Sequence, residues 1–144
     1  MEDTQLDKIN FELNELKNLK KSIIDLKKEF LNISDDNEPF KSKVKEIITI
    51  LTKIYEEVFS DISKVDKIKN YGDLYNPLFI KLLTKYNSLK KKNTSSKSID
   101  NYYSKIESLV ITLEEHFQKK YKSILSDDLF VNDAEIDALL KSIK

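Results

Sequence analysis

Apolar residues recur at steps of three and four along most of the chain, which is the pattern of amphipathic α-helices. The first such stretch predicts a long N-terminal helix over about 3–32. A step of three from Leu16 to Leu19 interrupts the alternation of three and four, which locally overwinds a coiled-coil seam. A helix of this length would measure roughly 45 Å, so we predict an elongated molecule. Its apolar stripe comprises Leu6, Ile9, Leu13, Leu16, Leu19, Ile23, Leu26, Phe30 and Ile33.

Two more stripes follow the first helix. The break at 34–39 ends in Pro39, which suits the first turn of a helix, and the stripe over 44–65 predicts the second helix. A third helix is predicted to begin near Pro77. The single glycine and the two prolines are too few for the turns that a sheet-rich fold requires.

The polar segment 90–97 predicts a flexible loop before a fourth helix, which should end near residue 126. After Asp127 and Asp128, a short last helix is expected to dock on the others. We therefore predict an all-α fold, an elongated antiparallel helical bundle of four main helices plus a short C-terminal helix. The single domain, 1–144, would consist of the N-terminal helix (about 3–32), the bundle (about 39–126) and the C-terminal docking helix (about 133–143).

Charge and composition narrow the classes of function. The 25 basic residues are all lysines and balance 25 acidic residues. A neutral chain has no net field that attracts nucleic acid, and this one lacks the arginine forks that bind phosphates bidentately. We therefore predict no nucleic-acid partner and interpret the lysine run at 90–92 as a solvated helix end. Because there is no cysteine, disulfides, zinc–thiolate sites and thiol nucleophiles are excluded.

The sequence also predicts no transmembrane segment. No apolar run approaches the roughly 18 residues that a membrane-spanning helix needs. The acidic start at residues 1–5 lacks the basic and apolar regions of a secretory signal peptide. We therefore expect a cytoplasmic protein.

Few residues could carry out catalysis. His116 is the only histidine, and it supplies at most one imidazole, whereas di-iron bundles need two Glu-x-x-His motifs. There is no glycine-rich phosphate loop and no glycine-flanked serine nucleophile. We therefore predict no catalytic residue and no cofactor. A metal site stays open as an alternative at four acidic residues that also suit helix capping, Asp127, Asp128, Asp133 and Glu135.

Two segments resemble those of a known family. The stretch 75–86 resembles a Tyr-x-Pro-x-x-x-Lys-Leu-Leu-x-x-Tyr motif, and the tail 125–140 is similar to an ending in which paired acids precede an Asp-x-Glu-Ile-x-x-Leu element. Both occur in the XpaC family, whose members are named for 5-bromo-4-chloroindolyl phosphate hydrolysis. The resemblance covers about residue 43 to the C-terminus. Many members carry hydrophobic N-terminal segments, whereas residues 6–30 here are amphipathic, so membrane attachment is not implied.

The resemblance implies two alternative functions. Family members accompany TelA-type toxic-anion-resistance proteins, which implies a partner of that kind. With the long amphipathic helices, this favours a non-catalytic interaction module that binds itself or a partner in envelope or toxic-anion stress physiology. The family name implies, as the alternative, a metal-assisted phosphate-ester hydrolase. The residues predicted to pack or interact are Leu6, Ile9, Leu13, Leu16, Tyr75, Pro77, Leu82, Leu83, Tyr86, Ile136 and Leu139.

Overall fold

The computed structural model describes residues 2–143, except for the side chains of Glu2, Asp128, Phe130 and Val131. Over this range the chain is helical and contains no strand, which confirms the all-α prediction. A 3₁₀ helix and a short π-helical turn join the second α-helix to the third. The elements are α1 (Glu2–Phe30), α2 (Glu38–Ser60), the 3₁₀ helix (Ile62–Ile68), the π-helical turn (Tyr71–Tyr75), α3 (Asn76–Lys91) and α4 (Lys97–Ile143).

Helix α2 is central to the packing, because it lies against both α1 and α4. Helix α3 contacts α1 and α4, and the π-helical turn before it packs on α1 as well. All four helices contribute to the core. The side chains that are fully covered include Leu19, Val44, Leu51, Ile54, Leu83, Val110 and Ile124. The arrangement of these helices as a regular antiparallel four-helix bundle stays a prediction.

Local signals explain where α2 begins and ends. The Asn37 side chain accepts a hydrogen bond from a backbone N–H of the first turn at 3.4 Å. Pro39 occupies that turn as predicted, and its missing N–H costs nothing there. Helix α2 ends at Ser60, because the side chain of Asp61 caps the 3₁₀ helix that follows. Val65, the last residue of the predicted stripe, therefore lies in the 3₁₀ helix.

The π-helical turn approaches the backbone of α1 closely at Gly72. A Cβ atom at this position would lie 2.2 Å from the backbone nitrogen of Leu19 and 2.3 Å from the carbonyl carbon of Asn18. Favourable non-bonded contacts are about 3.5–4.0 Å long, so only glycine allows this approach. Asn70 has a φ of 67°, a left-handed conformation that asparagine adopts more readily than most residues. Together the two residues carry the chain across α1 before α3 begins.

Helix α4 is 47 residues long and continues without a break to Ile143. The predicted end of the fourth helix near residue 126 and the separate last helix over 133–143 are therefore wrong. Serine and aspartate lower helix propensity only mildly, and α4 contains no glycine or proline that would stop it. The hydroxyl of Ser126 donates to the carbonyl of Lys122 at 2.7 Å, so it is satisfied within the helix.

Candidate functional site

The last part of α4 extends beyond the helices against which α4 packs. From Ser126 to Ile143, every residue whose side chain is described is exposed. We call this segment, 126–143, the C-terminal arm. At about 1.5 Å per residue it is roughly 27 Å long. The predicted docking of this segment is therefore not observed: Ile136 and Leu139 are 54% and 62% exposed.

An apolar stripe follows one side of the C-terminal arm. Its residues advance by alternating steps of four and three, which is the spacing of a coiled-coil seam. Two carboxylates, Asp133 and Glu135, flank the stripe and are exposed. We call the stripe the seam; it begins at the half-buried Leu125, just before the arm, and continues with Leu129, the polar Asn132, Ile136, Leu139 and Ile143.

The first turns of α1 form a second exposed segment. Residues 3–11 are exposed, and so is Leu13; we call 3–13 the N-terminal arm. Leu6, Ile9 and Leu13 were predicted to pack or interact, and the structure leaves each about half exposed. Leu16, the next residue of the same stripe, is buried in the core. The apolar stripe of α1 is therefore buried only from Leu16 onward, although the Glu12 side chain within the arm is already buried.

Both arms leave the molecule at the end that the 3₁₀ helix covers. The backbone N–H of Asn70 donates to the carboxylate of Glu15 at 3.4 Å, close to the root of the N-terminal arm. Lys67 forms an ion pair with Asp127 at the root of the C-terminal arm. Both roots thus lie beside the segment 61–71. Because the apolar stripes of both arms are exposed, neither arm covers the other.

The residues of the family-like segment in α3 divide between core and surface. The structure buries Leu83 and Tyr86, half-buries Leu82, and leaves Tyr75 and Pro77 exposed. The carbonyl of Leu82 also accepts a hydrogen bond from a tyrosine of α4 at 2.7 Å. Tyr86 lies edge-on to another tyrosine of α4, with ring centroids 5.2 Å apart. Most of this segment therefore joins α3 to the other helices.

Two asparagines that sequence reasoning missed also hold α3 in place. Asn76, which is 1% exposed, donates its amide to Ser22 Oγ at 3.0 Å. Asn87 donates to the carboxylate of Glu29 at 2.7 Å. Both asparagines lie at helical spacing from Leu83, on its buried side. An asparagine on an apolar helical stripe is unfavourable unless it is hydrogen-bonded, and this pattern was the signal that could have revealed them.

An apolar groove of about 640 Å³ opens between α3, α4 and the π-helical turn. Its volume lies in the range of roughly 300–1,000 Å³ that is typical of small-molecule sites. Phe79, Leu113 and Phe117 contribute apolar and aromatic surface, and Lys69 and Lys120 line it with charged side chains. In the part of the chain that the structure describes, neither of these lysines forms an ion pair. The groove therefore combines an apolar surface with available positive charge, and the carboxylate of Asp66 lies at its lining as well.

A tyrosine–histidine pair lies in this groove. The Tyr71 hydroxyl oxygen and His116 Nε2 are 3.2 Å apart, and the imidazole tautomer decides which of them donates the hydrogen bond. Burial raises the pKa of Tyr71 to about 12, with a further contribution from Tyr75. The phenol is therefore neutral at pH 7, where it can donate or accept a hydrogen bond but cannot act as a base. Its ring also meets Phe117 edge-on at 5.5 Å.

The acidic residues considered as metal ligands do not converge where they are described. Asp127 pairs with Lys67, and Asp133 and Glu135 are exposed on the arm. The Asp128 side chain lies outside the described residues. Among the side chains that the structure describes, no three His, Asp or Glu groups come close enough to hold a metal ion together.

Fold and sites define an all-helical protein with an open apolar groove and an exposed amphipathic arm. None of its helices within residues 2–143 is long and apolar enough to cross a membrane. Residues 1–139 match the model of the 5-bromo-4-chloroindolyl phosphate hydrolysis protein family, so the chain belongs to this family. The match includes α1, whereas the two motifs alone carried the resemblance only from about residue 43. No curated protein and no solved structure matches the chain.

Proposed function

We propose that the protein is a non-catalytic helical interaction module that binds another protein chain along the seam of its C-terminal arm. The observation that carries this proposal is the exposure of the seam over the full length of the arm, with Ile136 and Leu139 more than half exposed. The partner is either a second copy or a different protein, and the family resemblance suggests a TelA-type protein in envelope or toxic-anion stress physiology. The proposal assumes the cytoplasmic location expected from the sequence.

The exposed apolar face of the arm favours a partner. A single helix of about 18 residues is marginal in water, because most helical stability in proteins comes from packing of an apolar face. Each Leu or Ile side chain that a partner helix covered would contribute roughly 1.5–3 kcal/mol of hydrophobic free energy. The described apolar side chains that would be covered are Leu129, Ile136, Leu139, Leu140 and Ile143.

The test is an affinity capture with the tagged full chain, followed by reconstitution with the purified captured protein and light scattering of the complex. The variant Leu139→Asp puts a charge in the seam and is expected to abolish the complex. Ala134→Asp adds the same charge on the opposite side of the arm and serves as the matched control, which should leave the complex intact. A monomer whose interactions are the same in wild type, Leu139→Asp and Ala134→Asp would refute the proposal.

A second candidate function is the phosphate-ester hydrolysis that the family description names. The groove favours it, because an apolar surface next to Lys69 and Lys120 suits an aromatic molecule that carries a negative group. The metal-assisted form of this hypothesis would have to use acidic residues such as Asp127 and Asp133. Neither route has an arginine or a second histidine to assist it.

Turnover of 5-bromo-4-chloroindolyl phosphate, measured with and without Mg²⁺, Mn²⁺ or Zn²⁺, tests this candidate. Activity that His116→Ala abolishes in a folded protein would locate the hydrolysis in the groove. Activity that Asp127→Ala or Asp133→Ala abolishes would instead support a metal site on the arm. Absence of turnover under all these conditions would eliminate the hydrolase function.

A further inference from the structure

We propose that the seam of the C-terminal arm binds a basic amphipathic helix of a different protein, and not a second copy of this chain. This inference rests on the proposed function and adds the chemistry of the partner to it. The spacing of the seam determines the shape of the partner, and the charges beside the seam determine whether the partner is basic or acidic.

The shape follows from the spacing of the seam. Apolar side chains that alternate at steps of three and four suit a second helix with the same spacing, whose side chains insert between them. One of the two seam positions holds Leu129, Ile136 and Ile143, and the other holds Leu125, Asn132 and Leu139. In coiled coils, Ile and Leu placed in this way favour pairs of helices over larger assemblies. The partner segment is therefore a single amphipathic helix.

The positive charge expected for the partner follows from the negative charge of the arm. Residues 126–143 contain five carboxylates and one lysine, a net charge of −4. Asp133 and Glu135 flank the seam, at the positions where paired helices place their ion pairs. If two C-terminal arms paired with each other, each would bring its net charge of −4 close to the other, and like charges at short range repel. Lysine or arginine at the flanking positions of the partner would turn this repulsion into attraction.

The chain itself offers no suitable partner segment among its described residues. The apolar stripe of the N-terminal arm is also exposed, but residues 2–15 again contain five carboxylates and one lysine. Apolar stripes with lysines nearby do occur, as at Leu19, Ile23 and Leu26, but these side chains are buried in the core. A second folded copy therefore presents no free basic helix to the seam. Its apolar groove beside Lys69 and Lys120 is a cleft between several elements and not a helix with the spacing of the seam, which leaves a different protein as the occupant.

Asn132 bears on how the partner helix is aligned along the seam. It is the one polar residue in the seam, and it is exposed. An amide buried against apolar side chains without a hydrogen bond costs free energy, so an alignment that places a polar group opposite Asn132 is favoured. The partner helix should therefore carry a polar residue opposite Asn132.

The experiment measures fluorescence anisotropy of labelled peptides with the full chain. One designed peptide of about four heptads has Ile and Leu at the seam positions, one central asparagine, and lysine at the flanking positions. Its counterpart has glutamate in place of those lysines. We expect the basic peptide to bind at least tenfold more tightly, and the ratio to fall between about 50 mM and 300 mM salt as the charges are screened.

Variants of the arm test where the peptide binds and whether its preference for a basic peptide can be reversed. Leu139→Asp should abolish binding of the basic peptide, and Ala134→Asp on the opposite side should preserve it. The double variant Asp133→Lys/Glu135→Lys should bind the acidic peptide more tightly than the basic one. This reversal cannot arise from misfolding, because misfolding would weaken the binding of both peptides.

Three results would overturn the inference. One is equal binding of the two peptides, or binding of neither; another is basic-peptide binding that survives Leu139→Asp. The third is a dimer of the chain alone that light scattering detects and Leu139→Asp dissociates, since the occupant would then be a second copy. Equal binding of both peptides that Leu139→Asp abolishes would overturn this inference but leave the proposed function intact. If Leu139→Asp changes neither peptide binding nor any captured partner, the proposed function fails as well.

Discussion

Replacing Gly72 by alanine tests the close contact between the π-helical turn and α1. The added Cβ would lie 2.2 Å from the backbone nitrogen of Leu19, about 1.3 Å inside the distance at which non-bonded atoms attract each other. The obstructing atoms belong to the backbone of α1, so rotation of a side chain cannot relieve the clash. Overpacking of this kind costs about 1–3 kcal/mol and occasionally more, and we expect a value of about 3 kcal/mol because two backbones must separate.

Thermal and urea unfolding, both monitored by circular dichroism, measure the loss of stability. For a domain of this size 1 kcal/mol corresponds to about 2–4 °C, so the melting temperature should fall by roughly 6–12 °C. Asp73→Ala is the matched control, since Asp73 is the exposed neighbour in the same turn and its replacement should change stability by no more than about 0.5 kcal/mol. A Gly72→Ala protein as stable as Asp73→Ala would show that the two backbones do not approach each other as described.

Three further predictions concern ionisation and buried polar groups. Burial raises the pKa values of Tyr71 and Tyr86 to about 12, so a spectroscopic titration should show phenols ionising well above the usual 10, and Tyr71→Phe or Tyr86→Phe should each remove one of them. The stability that these neutral phenols contribute is fully present below about pH 10 and should be lost as the pH rises through 12. The hydrogen bond to Glu114, at 2.9 Å, raises the pKa of Lys43. Lys43→Met should therefore lower the melting temperature at pH 7, and the difference from wild type should shrink above about pH 10.4. Asn76→Ala should cost about 1–3 kcal/mol in urea unfolding, and unchanged stability would contradict the role given to its buried hydrogen bond.

Much of the fold follows from the sequence, because its signals are local. Steps of three and four predicted the apolar stripes of the helices. Pro39 and Pro77 predicted where α2 and α3 begin, since proline is favoured in the first turn of a helix. The scarcity of glycine and proline predicted the absence of sheets. None of these signals depends on residues that are distant in the sequence.

The rest depends on tertiary contacts or on the lack of a definite stop signal. Ser126 and the two aspartates after it resemble a break, but a helix tolerates them in the absence of glycine or proline. The groove requires the π-helical turn, whose position depends on how closely Gly72 approaches α1. Its Tyr71–His116 pair joins residues that are 45 positions apart. Periodicity cannot predict a contact of this kind.

Helix α4 joins the groove and the C-terminal arm without a break. The helix is about 70 Å long; its turns beside the groove lie near the middle, and the arm is the free end. No glycine or proline separates them, so the helix has no built-in hinge between the groove and the arm. A tilt of about 5° at the root of a 27 Å arm displaces its tip by roughly 2 Å. A partner that covered the seam would stabilise the helical arm, and the same uninterrupted helix carries His116 in the groove.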